Sequence, residues 1–206
     1  QGYSSAASDV YKRQVKGSFF KQGAGGKGFN QGVAAHKAGG DVAMITKLGR
    51  DSMANVALDV MTELNMPKDF LFYNDDVATG IALIMVDENS SQNEIVIVPG
   101  ACGTIMAEDI KSVEQRICDS AYILLQLEVN QDANELVVDY AKGQGARVVL
   151  NPAPIHAVSS EFLCKADVIT PNEVEASALS GIPIKTPDDA LRAARTVSYT
   201  HLRAHE

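Results

Sequence analysis

The 206 residues suffice for one sizeable domain, and with 46% hydrophobic and 21% charged residues the chain matches ordinary globular usage, which excludes wholesale disorder and fibrous repeats. A formal net charge of -8 argues against a surface that neutralises nucleic-acid phosphates, and Cys102, Cys118 and Cys164 form no Cys-x-x-Cys pair of the kind that holds zinc. No apolar run reaches the roughly 18 residues of a membrane helix, and no signal-like pattern opens the chain. The expectation is a cytoplasmic protein whose partners include neither nucleic acid nor membrane.

In chain order, residues 1–14 are Ser/Ala-rich without a clear period and residues 197–206 are polar, so both are expected to be non-native flanks around a partial domain over 15–196. Residues 25–39 pass from glycines to Val33, Ala34 and Ala35, which predicts a helix ended by Gly39 and Gly40. Residues 41–47 (DVAMITK) read as a buried strand. Asp51 then caps a helix through about residue 65, in which Val56, Ala57, Val60, Met61 and Leu64 return at helical spacing. Residues 81–86 and 94–98 are rich in branched apolar side chains and flank the polar segment 87–91, as a hairpin or two neighbouring strands would. Helices over 106–117, 133–142 and 159–164 precede strands over 121–126, 147–150 and 167–170 respectively. That alternation predicts an α/β fold with a mainly parallel sheet.

The segment Gly23-Ala24-Gly25-Gly26-Lys27-Gly28-Phe29-Asn30-Gln31 leads into the first predicted helix. Glycines let the backbone approach a ligand, and Lys27 and Asn30 add donors near a helix N-terminus, so the segment suits a polar ligand; the plain alternative is a flexible turn before an ordinary cap. Gly23-x-Gly25-x-x-Gly28 also fits the dinucleotide-binding pattern, with Asp51 near the place of an acidic ribose partner, which leaves a dinucleotide-dependent oxidoreductase open. It is not a Walker loop, because Lys21 stands five residues before Gly26 and Gly28 follows Lys27.

The run from Gly25 to Ala35 (GGKGFNQGVAA) resembles the ribokinase signature of the PfkB sugar-kinase family. Gln126-Leu127-Glu128, Asn151-Pro152-Ala153-Pro154 and Thr170-Pro171-Asn172-Glu173-Val174-Glu175 then follow in the family's order, so that the likeness spans roughly 16–195. The resemblance implies a three-layer α/β ribokinase-like fold, incomplete here, with a mainly parallel sheet and a small β lid within about 79–100 joined at Thr79-Gly80. It implies an ATP-dependent kinase that moves the γ-phosphoryl group to O5 of ribose. Gly26, Lys27 and Asn30 would contact sugar hydroxyls, and Glu128 would accept a hydrogen bond from the sugar. Asn172 and Glu175 would serve the nucleotide, with Glu175 reaching magnesium through water. ATP, Mg2+ and a monovalent cation such as K+ are the implied cofactors, and a homodimer the implied state of the intact protein. Cys102 stands where related chains often carry Asn, and it reads as a buried inert thiol; Asn151 reads as shaping a bend.

The family pattern also has a leading strand with a sugar-holding Asp and a closing Gly-Ala-Gly-Asp motif with the catalytic Asp, and this sequence contains neither. No catalytic residue is therefore expected among these residues, and the chain by itself is expected to be inactive, with a non-catalytic sugar-binding fragment as the alternative. His201-x-x-x-His205 offers only two metal-ligand nitrogens, and His36 and His156 read as packing residues.

Overall fold

The computed structural model describes residues 17–87, 93–155 and 158–198. The expected flank over 1–14, most of the other flank, and His156, His201 and His205 lie outside the described residues.

Helix α1 (Lys27–Lys37) opens the fold, and strand β1 (Thr46–Gly49) follows. Asp51 caps α2 (Ser52–Glu63) by accepting from the Ala54 N–H at 2.9 Å, as its position implied. Strand β2 (Leu71–Asn74) pairs parallel with β1, Thr46 facing Leu71 and Gly49 facing Asn74. The strand expected over 41–47 therefore starts five residues later and runs to Gly49. Its bounds are set by the reach of β2, a short strand with no clean alternation in Leu-Phe-Tyr-Asn that was not foreseen.

Strands β3 (Ile81–Val86) and β4 (Asn93–Val98) form an antiparallel hairpin in the register Ile81 to Val98, as expected. Every residue of both strands is exposed. A 3-10 turn (Gly100–Thr104) follows. The helix expected over 106–117 is broken at Val113 (φ -117°, ψ 12°) into α3 (Ala107–Ser112) and α4 (Glu114–Cys118).

Strands β5 (Tyr122–Leu125), β6 (Arg147–Leu150) and β7 (Val168–Ile169) form a parallel sheet in that order, joined through α5 (Gln131–Gly143) and α6 (Ser160–Cys164). Helices α7 (Glu173–Ser180) and α8 (Pro187–Val197) end the described chain. Val197, on the far side of the expected boundary at 196, closes α8 and is buried.

The core follows from the sequence periods. Ile123, Leu125, Val148 and Leu150 alternate onto one face of the sheet. Ala133, Val137, Val138 and Ala141 form the facing stripe of α5. A second cluster joins Met44, Leu48, Ala54, Met61, Met66 and Leu71, while Phe70 and Phe72 pack against the first. Helix α1 lies on the second cluster at Gly32, where an added Cβ would stand 2.2 Å from Met44 Cε.

Candidate functional site

Because β5, β6 and β7 are parallel, the three motifs that follow them emerge at one edge of the sheet, where open α/β folds take their ligands. Main-chain bonds beyond the strand ends keep them side by side. The Asn151 N–H donates to Leu125 O at 2.9 Å, the Leu127 N–H to Ala153 O at 2.9 Å, and the Thr170 N–H to Leu150 O at 2.9 Å.

The glycine-rich segment is held against this edge by Glu128. Gly26, at φ +92°, is the N-cap of α1 but has no side chain with which to cap it. Glu128 Oε2 supplies the missing acceptor from 101 residues away, taking the Lys27 N–H at 2.7 Å. A carboxylate there also complements the positive end of the helix. Lys27 thus meets Glu128 through its main chain. The side chain of Lys27 is half-buried and that of Asn30 is exposed at the same helix start.

Beside this contact, Gln126 Nε2 donates to Gln31 Oε1, and the Asn134 side chain, buried under the strand end, donates to Gln126 O at 2.8 Å. Gly28 lies so near that an added Cβ would be 2.7 Å from Gln126 Oε1. Gly26, Lys27 and Glu128 are therefore brought together, with Asn30 one turn along α1. Gln126 and Gln31 belong to the same cluster and were not singled out from sequence; the available signal was a polar residue two positions before Glu128 at the end of an apolar strand.

Asn172 and Glu175 are also brought together, by a reciprocal cap at the start of α7. Asn172 Oδ1 accepts from the Glu175 N–H at 2.9 Å. Glu175 accepts in return from the Asn172 main-chain N–H at 2.8 Å and from its Nδ2 at 3.0 Å. Glu175 is only 6% exposed. A cavity of about 520 Å³ adjoins the cap, lined by Ile169, Pro171, Asn172, Glu173, Ala176 and Ala190 among others. Among the described residues no three His, Cys, Asp or Glu side chains gather into a metal cage. Magnesium does not need one, since it keeps several waters and is commonly held by one or two carboxylates plus phosphates, so a single carboxylate acting through water fits the residues present.

Cys102 is half-buried rather than buried; its Sγ donates to Lys47 O at 3.4 Å, and desolvation pushes its thiol pKa up, which favours the protonated thiol over the reactive thiolate. His36 packs as expected, Nε2 donating to Leu64 O at 2.9 Å. The dinucleotide alternative loses its setting. Both oxygens of Asp51, the residue placed as its acidic ribose partner, accept main-chain N–H groups, from Ala54 and Thr79.

The sequence profile of the pfkB family carbohydrate kinases matches residues 3–203. The chain belongs to that family. Ribokinase of Haemophilus influenzae is 37% identical over 170 residues, 82% of this chain and 55% of that protein. Deoxyribokinase of Salmonella typhi is 36% identical over 179 residues, 86% of this chain and 58% of that protein. The structure of Arabidopsis thaliana ribokinase complexed with ribose and ATP superposes with a TM-score of 0.80 at 25% identity, covering 91% of this chain and 61% of that one. The chain thus spans a little over half the length of the curated relatives it matches. The ribokinase-like architecture of this family agrees with the parallel sheets and the antiparallel hairpin described above.

Proposed function

We propose that the whole protein is an ATP-dependent sugar kinase of ribokinase type, transferring the γ-phosphoryl group of ATP to O5 of ribose to give ribose 5-phosphate. The observation that carries this reading is the Glu128 carboxylate at the N-terminus of the glycine-loop helix, beside Gly26, Lys27 and Asn30. A polyhydroxylated ligand leaves water cheaply only where donors and acceptors converge, and these residues supply both. Asn172 and Glu175, with the adjoining cavity, are assigned to the nucleotide and to magnesium acting through water. ATP brings the phosphoryl group and Mg2+ would neutralise its charge, while K+ is assigned to the whole protein by family likeness.

The hairpin is assigned as the cover that excludes water from the sugar, and its apolar residues, exposed on both faces, support a homodimer of the whole protein. Cys102 and Cys118, neither in a disulfide, accord with the cytoplasm as the working compartment. Phosphoryl transfer to a hydroxyl needs a base, whose loss costs ~10²–10⁴ in rate. The family motif that would provide one is not in these 206 residues, so we assign sugar binding without turnover to this chain alone.

A coupled ADP-release assay tests both statements, comparing the 206-residue chain with the product of the whole gene, each with ribose and with 2-deoxyribose. Ribose-dependent turnover is expected from the whole protein only. Turnover by the 206-residue chain would refute the assignment of the base, and preference for 2-deoxyribose would refute the assignment of the sugar.

A further inference from the structure

The outbound stem of the β3/β4 hairpin is fastened to the start of α2 through one carboxylate. Capping α2 occupies only Oδ1 of Asp51, which accepts from the Ala54 N–H. Oδ2 accepts from the Thr79 N–H at 2.7 Å, two residues before β3 begins. Thr79 Oγ1 accepts in turn from the Gly49 N–H at 2.9 Å, at the last residue of β1.

The approach is close enough to demand glycine. A Cβ on Gly49 would stand 2.5 Å from Thr79 N and 2.8 Å from Asp51 Oδ2. The outbound and return stems are also locked to each other. The Ala101 N–H donates to Ala78 O at 2.8 Å, a Cβ on Gly80 would stand 2.3 Å from Pro99 O, and one on Gly100, at φ +55°, would stand 2.4 Å from Ala78 O. Beyond this crossing every residue of β3 and β4 is exposed, so the strands bury no face that would orient them. The two stems are therefore joined, and swinging the outbound stem away from β1 strains the bond between Asp51 and Thr79.

We propose that Asp51 is a positioning residue, whose second carboxylate oxygen latches the outbound stem and sets the angle of the hairpin against β1. The consequence for sugar covering rests on the kinase reading; the latch itself does not. Amide hydrogen exchange on the 206-residue chain, without sugar or ATP, tests it separately from that reading.

Asp51→Asn keeps one oxygen for Ala54, since Asn caps helices as well as Asp, but leaves the Thr79 N–H without an acceptor. Exchange at Thr79 and Ala101 is expected to accelerate by about tenfold, the ratio that losing one ordinary hydrogen bond gives, while Ala54 changes by less than about twofold. Asp51→Ser, which keeps a capping oxygen and removes the second one, is expected to loosen Thr79 and Ala101 with Ala54 again nearly unchanged, and it decides the matter alone if Asp51→Asn does not fold. A merely structural cap would show the opposite pattern. Acceleration centred on Ala54, equal acceleration throughout, or none at the stem overturns the latch.

Discussion

Replacing Asp109 by Ala is expected to be among the costliest single changes in this chain. Lys47 Nζ stands 2.7 Å from Asp109 Oδ2, with side-chain exposures of 4% and 16%. It also donates to Thr104 O at 3.1 Å, pinning the turn through which the hairpin returns. Two unit charges at that separation attract by about 6 kcal/mol at an effective dielectric constant of about 20, and the cost of drying both ions offsets much of this, so the intact pair contributes little net stability. Breaking it is another matter. With Asp109 gone the ammonium stays buried without its partner, at a cost of ~3–5 kcal/mol. Lys47→Met strands the other charge instead, but the Asp109 carboxylate is the more exposed of the two, so this change is expected to cost less, ~1–3 kcal/mol. Asp109 Oδ2 also accepts from the Met106 N–H at 2.8 Å, and Asp109→Asn, which keeps an acceptor, separates that cap from the charge. Urea unfolding followed by circular dichroism reads the difference: at a slope near 2 kcal/mol/M, Asp109→Ala should lower the midpoint by roughly 2 M. Equal shifts for Asp109→Ala and Lys47→Met would refute the claim that the more deeply buried ammonium is the costlier charge to strand.

Glycine substitutions should divide by what their Cβ meets. Gly49→Ala drives into the main chain at Thr79 and should cost ~1–3 kcal/mol, whereas Gly28→Ala meets only the movable end of Gln126 and should cost less than about 1 kcal/mol, both read by thermal unfolding. Asn172→Ala removes the α7 cap and the Nδ2 donor to the buried Glu175, so about 1–2 kcal/mol should be lost in the same measurement, and titration of the whole protein should show nucleotide binding weakened more than ribose binding. At acid pH, Asp189 provides a local probe. The Arg192 guanidinium first, and then the Thr186 hydroxyl, lower its pKa from 3.8 to about 2. A depressed carboxylate stabilises the fold above its ordinary pKa and loses that contribution as the pH falls through the folded value, so α8 should loosen between pH 3.8 and about 2. Asp189→Asn should remove that step from an acid titration followed by hydrogen exchange in α8.

Several parts of the fold were legible in the residues themselves. The period of residues 133–141 and the branched apolar runs at 81–86 and 147–150 placed α5, β3 and β6. Asp51 announced the start of α2, and the glycine run announced a backbone that approaches something closely. These features depend on groups within a few positions of one another, where 3.6- and 2-residue periods and capping offsets are set by local covalent geometry. The Thr186-Pro187-Asp188-Asp189 start of α8 belongs to the same class, and went unread although its capping chemistry lies in four consecutive residues.

Other features needed the closed chain. Strand β2 exists because β1 lies beside it, and the same pairing moves β1 from 41–47 to Thr46–Gly49. That Lys27 meets Glu128 by its main-chain N–H, that Gln126 lies against Gly28 and Gln31, and that Asp51 serves Thr79 as well as Ala54 are contacts between residues 28 to 101 positions apart. Local sequence names the donors and acceptors but not which will be neighbours. Folding settles that, because a buried polar group must find its partner among whatever the packed apolar faces bring within about 3 Å.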